Sequence, residues 1–171
     1  MKKLLFLILI CFLTSNGVFA QSLGKMTLGC KRADIPISLP SGFDICKINT
    51  SNHLKYTTNK GDEYVSIYLD DNIVYKIEMH KRVCYDASED KFLSLLEEIV
   101  MQLYESWGEP YYVGENIYWQ FQTSKATFSY TVYTSQSDLY PARFYGSAPY
   151  LVTFYQCYAD IKLEKKTNLF E

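Results

Sequence analysis

Alternating hydrophobic and polar residues predict two consecutive strands, one over 64–69 and one over 73–80. The residues expected on their apolar faces are Val65, Ile67 and Leu69, followed by Ile73, Tyr75, Ile77 and Met79. Between the strands lies Asp70-Asp71-Asn72, whose short polar side chains tolerate the left-handed backbone of a tight turn. The two strands should therefore form a hairpin with one buried face.

The spacing of the hydrophobic residues then changes from a period of two to a period of about 3.6. One apolar stripe consists of Phe92, Leu95, Leu96, Ile99, Leu103 and Trp107. Asp86 or Ser88 can cap the first turn, while Gly108 and Pro110 suit the end of a helix. These features predict a helix over 90–107.

Alternation resumes after the helix and predicts three further strands. They are centred on Ile117-Phe121, Ala126-Tyr133 and Tyr150-Tyr158. Because no βαβ unit repeats, we expect an α+β fold with an antiparallel sheet of about five strands, in ββαβββ order, and one main helix on one face. We expect a single domain over 21–161 and a frayed tail over 162–171. Before the first hairpin, Ile35, Ile37 and Leu39 alternate as a short edge strand would.

Residues 1–20 have the pattern of a cleaved secretory signal peptide. Lys2 and Lys3 precede an apolar run from Leu4 to Leu13, and Val18-Phe19-Ala20 resembles a cleavage site. The apolar run is too short for a typical membrane-spanning helix, so no membrane span should remain after cleavage. The sequence thus indicates a periplasmic or secreted protein of bacterial type.

Cleavage would leave four of the five cysteines, Cys30, Cys46, Cys84 and Cys157. An even number of cysteines in an exported chain predicts disulfides. Of the three possible pairings, we favour Cys30–Cys46 with Cys84–Cys157. The first bridge would close the N-terminal segment, and the second would join the middle of the domain to its last strand.

Composition and motifs exclude several classes of function. A net charge of -2 does not supply the basic field that nucleic-acid binding needs. The chain has no GxSxG, HExxH or phosphate-binding glycine motif, and no cofactor or metal site is indicated. A small hydrolase could still be built from His80 with Cys84 or Asp86. Two observations argue against this hydrolase. The predicted strand places His80 on its polar face, and a spacing of four residues outside a helix does not bring the side chains of His80 and Cys84 together.

Tyrosine is the distinctive residue of this chain, with 16 copies. Tyr64, Tyr68, Tyr118 and Tyr133 are expected on outward faces of strands. The connection from Ser135 to Tyr150 is also rich in tyrosine, and we predict partner-binding residues there: Tyr140, Arg143, Phe144 and Tyr145. Alternatively, this segment folds back over a sheet edge or extends the hairpin.

One short stretch resembles a known family. Trp107-Gly108-Glu109-Pro110, followed by Tyr118-Trp119, is similar to the G-x-P and aromatic-strand pattern of small outer-membrane assembly lipoproteins of the SmpA/OmlA type. The resemblance covers only residues 107–119, and the chain lacks that family's lipid-attachment cysteine. It therefore supplies no family assignment and no function.

The sequence favours an exported, non-enzymatic binding protein of the inhibitor, immunity or envelope-interaction type. Its tyrosine-rich surface would recognise a protein partner, although exposed rings also suit a carbohydrate. The small hydrolase is one alternative. A ligand carrier or structural envelope protein is another, and a large apolar cavity between helix and sheet would favour it.

Overall fold

The structure is a computed structural model that describes residues 22–23, 25–139 and 150–166. The predicted signal peptide lies outside these residues, as do Tyr140, Arg143, Phe144 and Tyr145. Among the residues described, no helix has the length and hydropathy needed to cross a membrane.

An antiparallel sheet of eight strands dominates the fold. Its strands, in spatial order, are β3 (Ile45–Asn49), β4 (His53–Thr57), β5 (Tyr64–Asp70), β6 (Ile73–Ala87), β10 (Tyr150–Lys165), β9 (Ser124–Leu139), β8 (Asn116–Gln120) and β7 (Tyr111–Val113). The last strand in sequence is therefore central, because β10 pairs with both β6 and β9. A separate two-stranded hairpin joins β1 (Ser22–Leu23) to β2 (Met26–Thr27).

The prediction of five strands in ββαβββ order is wrong, since the large sheet has eight strands and four of them precede the main helix. The strands of this sheet that were missed before the predicted hairpin, β5–β6, are β3 and β4. Both are only five residues long and carry charged or polar residues at several positions, so their alternation is weak. The third missed strand, β7, has only three residues and lies at the sheet edge.

The main helix, α2, spans Glu89–Trp107, which confirms the predicted helix. The Ser88 hydroxyl accepts a hydrogen bond from Lys91 N, and Gly108 ends the helix with a φ of 82°. Phe92 and Leu103 are its buried residues. At its end, Trp107 meets Trp119 edge-on, and Trp119 Nε1 donates to Gly108 O at 2.9 Å. The helix is thereby held against β8 as well as against the centre of the sheet.

The N-terminal segment supplies the rest of the covering layer. A 3-10 turn, Arg32–Asp34, leads into the single-turn helix α1, Ile35–Ser38. The predicted edge strand at Ile35, Ile37 and Leu39 is therefore wrong; Pro36 fits the first turn of a helix, where its missing N–H costs nothing. Met26, Ile35 and Phe43 are buried in the same core cluster as Val65 and Trp119.

The predicted hairpin is confirmed, and its turn residues Asp71 and Asn72 have φ values of 47° and 62°. The predicted face of β6 is only partly right. A register shift opposite Tyr68 and Leu69 buries Val74 and leaves Tyr75 exposed. Further shifts between Tyr155 and Tyr158 bury Cys84. One strand therefore changes faces twice, which a strict period of two cannot predict.

The strands β9 and β10 form the longest pair, in continuous register from Ser124–Lys165 to Leu139–Tyr150. The predicted connection from Ser135 to Tyr150 thus begins with strand residues as far as Leu139, in agreement with the alternative of an extended hairpin. The other end of β10 reaches Lys165, so the first four residues of the predicted tail belong to the sheet.

Candidate binding surface on the open face of the sheet

The sheet has one covered face and one open face. The N-terminal segment and α2 pack on the covered face, whereas no described helix packs on the other. We call this second surface, formed by outward side chains of β4, β5, β6, β10, β9 and β8, the open face. Its side chains are polar, charged or aromatic, and most are half-buried against one another.

Strand register arranges these side chains in rows across the sheet. The central row runs Thr57, Tyr64, His80, Asp160 and Ser129. A neighbouring row runs Lys55, Ser66, Glu78, Lys162, Thr127, Tyr118 and Tyr111. Side chains directly opposite on adjacent strands lie close enough to interact, so each row forms a chain of contacts.

His80 lies at the centre of the open face. Its ring stacks on Tyr64, with centroids 5.2 Å apart, and on Tyr158, with centroids 4.9 Å apart. Its Nδ1 lies 2.7 Å from Asp160 Oδ1. Because a carboxylate only accepts hydrogen bonds, Nδ1 is the donor, and Nε2 of the neutral ring is an acceptor. Two rings and one carboxylate therefore fix the orientation of His80.

A second cluster surrounds Glu78. Tyr68 Oη donates to Glu78 Oε2 at 2.9 Å, and Lys76 Nζ lies 2.7 Å from Oε1. Burial alone would raise the pKa of Glu78, but the hydrogen bonds from Lys76 and Tyr68 outweigh it and lower this pKa below its usual value. Burial, followed by the bond to Glu78, raises the pKa of Tyr68, so its hydroxyl stays a donor. His53 stacks on Tyr68 at 4.5 Å.

Two hollows lie on this face. The first hollow, of about 370 Å³, is lined by side chains that include Tyr64, Glu78, Tyr118, Thr127, Ser129 and Asp160. The second hollow, of about 440 Å³, is lined by Asp62, His80, Thr131, Tyr133, Gln156 and Tyr158. The paired side chains of His80 and Asp160 separate them, since one lines each hollow.

The structure does not bring together the residues of the predicted hydrolase. His80 contacts Asp160, whereas Cys84 is buried with Phe92 of α2 in a core cluster of the covered face. Asp86 is exposed, with a φ of 50°. Among the described residues, no group of three or more His, Cys, Asp or Glu side chains is arranged to hold a metal ion.

The predicted outward tyrosines all lie on the open face. Tyr133 is 58% exposed, while Tyr64, Tyr68 and Tyr118 are half-buried against their neighbours. The sequence analysis missed Asp160 as a site residue because it ended the last strand at Tyr158. It gave no site role to Gln156 and Tyr158, which lie within that predicted strand. The sequence does contain a signal for a longer strand. Polar residues at 160, 162 and 164 alternate with Ala159, Ile161 and Leu163, and this alternation would have extended the predicted strand beyond Tyr158.

The four cysteines among the described residues are free thiols in the structure. Cys84 and Cys157 are nevertheless directly paired across β6 and β10, and both are buried. Burial, and then the neighbouring Cys84, raises the pKa of Cys157 to about 11. Cys46 is exposed on the edge strand β3, and Cys30 is half-buried near the N-terminal segment. Both disulfides remain predictions.

Comparison with protein-family models, curated proteins and solved structures found no match to this chain. The open face is therefore interpreted from its own chemistry. It offers fixed rings, hydroxyl groups and paired charges, and these are features of recognition.

Proposed function

We propose that this protein is an exported, non-enzymatic binding protein whose open face is its recognition surface. The observation that carries the proposal is the ordered array around His80. Tyr64, Tyr158 and Asp160 each contact the His80 ring, on a face that no described helix covers. An inhibitor, an immunity protein or an envelope-interaction protein would use such a surface. Its location in the periplasm or outside the cell rests on the signal-peptide pattern of residues 1–20.

Fixed aromatic side chains support recognition for a physical reason. Tyrosine offers a large contact area, loses little conformational entropy on binding, and retains a hydroxyl for hydrogen bonding. On the open face, stacking has already restricted Tyr64, Tyr68 and Tyr158 before any partner binds. A preordered surface has less entropy to lose on association.

The two alternative functions have less support. For a hydrolase, a nucleophile should reach Nε2 of His80, but no described hydroxyl or thiol donates a hydrogen bond to it, and Cys84 lies on the covered face. For a carrier, an apolar cavity is needed between α2 and the sheet. There, the large side chains of Trp119, Phe128 and Leu163 are fully buried in the core.

A capture experiment with matched variants tests the proposal. The mature chain is immobilised and exposed to an envelope extract that contains both proteins and cell-wall polysaccharide. The open-face variant carries Tyr118→Ala and Tyr133→Ala. The control, the helix variant, carries Leu93→Ala and Tyr104→Ala, which remove two exposed apolar side chains from α2.

We expect the wild type and the helix variant to retain the same envelope component and the open-face variant to lose most of it. Thermal unfolding checks that both variants fold, which matters most for Tyr118 because it is half-buried against Tyr111. Equal retention by all three proteins, or retention by none, would contradict the proposal.

A further inference from the structure

We propose that the ligand of the open face is a linear, uncharged glycan chain that lies along β9 and occupies both hollows. This inference rests on the proposed function and specifies the chemistry of the partner. It follows from four properties of the surface: a line of hydroxyl groups, an unpaired acceptor, aromatic rings at both ends, and positive and negative charges that are mixed and largely paired.

The hydroxyl groups form a line on β9. Thr127, Ser129 and Thr131 alternate on the open face, and Tyr133 continues the same line. Since a strand rises about 3.4 Å per residue, the line from Thr127 to Tyr133 spans about 20 Å. Thr127 and Ser129 line the first hollow, while Thr131 and Tyr133 line the second. The two hollows therefore lie end to end, in the shape that suits an extended polymer.

The second hollow offers a hydrogen-bond acceptor that the described residues do not satisfy. Asp62 Oδ1 is buried without a partner among the described residues, and Asp62 lines the second hollow. His80 Nε2 is an acceptor in the neutral ring, since Nδ1 bonds Asp160. Gln156 and the hydroxyl of Thr131 complete the polar lining. Sugar hydroxyls donate and accept hydrogen bonds, so they can satisfy this mixed set.

Aromatic rings stand at the two ends of the line. Tyr118 stacks on Tyr111 at 5.5 Å, and its cross-strand neighbour on the other side is Thr127. Tyr118 also lines the first hollow. At the second hollow, Tyr133 meets Tyr158 edge-on at 6.3 Å and is 58% exposed. The C–H groups of a sugar ring are weakly positive and pack well against the negative face of an aromatic ring.

The charges around the hollows are paired within the protein. Lys76 contacts Glu78, Lys162 contacts Glu164 at 2.9 Å, and Arg82 contacts Asp62. Asp160 contacts His80. Lys55 of the open face lies over the Tyr64 ring, and Asp160 keeps its negative charge beside the neutral His80 ring. Since positive and negative groups are mixed across the surface, it does not attract a strongly anionic or cationic polymer. An uncharged, hydroxyl-rich chain fits this balance better than a nucleic acid.

A protein partner fits less well because the core of a protein interface is normally depleted of charge and fully dried. On the open face, the lining of the first hollow includes the hydroxyl groups of Thr127 and Ser129 and the carboxylates of Asp160 and Glu78. A glycan can bind such a wet, polar floor through direct and water-mediated hydrogen bonds.

The test uses defined oligosaccharides and titration calorimetry on the mature chain. The uncharged probes are the tetrasaccharides of cellulose, chitin, amylose and mannan, and the charged probes are tetragalacturonate and an oligothymidylate. We expect at least one uncharged tetrasaccharide to bind. The open-face variant, Tyr118→Ala with Tyr133→Ala, should bind it about tenfold more weakly, and the helix variant should bind it normally.

The outcomes separate this inference from the proposed function. Binding of a charged probe in preference to all uncharged ones, or equal affinity in the open-face variant, would overturn the glycan assignment. If no probe binds while capture from the envelope extract still depends on Tyr118 and Tyr133, the glycan inference fails and the proposed function stands. If capture is also independent of these rings, both fail.

Discussion

Cys84 on β6 and Cys157 on β10 are direct cross-strand neighbours, and both thiols are buried beside Phe92 of α2. Cross-strand neighbours bring their Cβ atoms to about 4.5–5.5 Å, somewhat farther apart than in a disulfide, so a small adjustment of the strands would allow a bond. The register shifts on both sides of this pair give β6 the local irregularity that such an adjustment needs.

We predict that Cys84 and Cys157 form a disulfide in the exported protein. The bond forms by exchange with a donor disulfide of the oxidising compartment, which takes up the two electrons while the two thiols lose their protons. The bridge should stabilise the fold by about 2–4 kcal/mol, a stabilisation that Cys84→Ser removes and that a reducing agent also removes from the wild type. Chemical denaturation with and without the reducing agent measures this difference.

Non-reducing peptide mapping identifies the bond directly. The matched control is Cys46→Ser at an exposed position, which should leave the Cys84–Cys157 bridge intact. Two free thiols at Cys84 and Cys157 in protein purified from an oxidising compartment would refute the prediction.

The reduced protein should lose stability at alkaline pH because of Cys157. Its pKa rises from 9.0 to about 11 on folding, so between these values the folded state holds a proton that the unfolded state has released. Stability therefore falls as the pH rises through this window, by roughly 3 kcal/mol in total. Urea denaturation of the reduced protein at several pH values should show the fall.

Cys157→Ala should reduce this slope without abolishing it. Tyr56, Tyr64 and Tyr68 also have raised pKa values, mainly through burial, and they act in the same direction. Leu93→Ala, which removes an exposed side chain without a titratable group, is the control with an unchanged slope. An identical slope in wild type and Cys157→Ala would mean that the buried thiol does not contribute.

The contact between His80 and Asp160 predicts the tautomer of the histidine. With Nδ1 2.7 Å from the carboxylate, the neutral ring should carry its proton on Nδ1. In the variant Asp160→Asn, the Nε2–H form should become more populated because the carboxylate acceptor is lost. Nitrogen NMR of the two ring atoms measures both populations, and a wild-type ring protonated mainly on Nε2 would disprove the assigned hydrogen bond.

The residues between β9 and β10 give a separate prediction about partner binding. If these residues carry recognition, as the sequence analysis predicted, replacing Tyr140, Arg143 and Tyr145 together by alanine abolishes capture of a partner while leaving the melting temperature nearly unchanged. Because the proposed function places recognition on the open face, we expect this triple variant to capture its partner normally. Normal capture by this triple variant, combined with loss of capture by the open-face variant, would assign recognition to the sheet face alone. The two variants therefore distinguish the loop from the open face.

Local features of the chain were predictable because their signals lie within a few residues. The helix from Glu89 to Trp107 has a continuous apolar stripe, a capping serine and a terminal glycine. The turn at Asp71 and Asn72 needs residues that accept positive φ, and both are of that kind. The outward tyrosines of β5 and β9 followed from simple alternation.

The open face was less predictable because its neighbours are distant in sequence. Asp160 reaches His80 across 80 residues, since β10 inserts between β6 and β9. Cys84 changes faces through register shifts that depend on the partner strand. Neither relationship leaves a pattern in a local window of residues.

The sequence by itself therefore determined the main helix, the turn between β5 and β6, and the outward faces of Tyr64, Tyr68, Tyr118 and Tyr133, because propensity and periodicity act locally. Only the tertiary structure decided that eight strands share one sheet, that His80 contacts Asp160, and that Cys84 is opposite Cys157. Those pairings depend on the order and register of strands that are distant in sequence. The free energy that stabilises this arrangement comes from burying the shared core beneath α2 and the N-terminal segment.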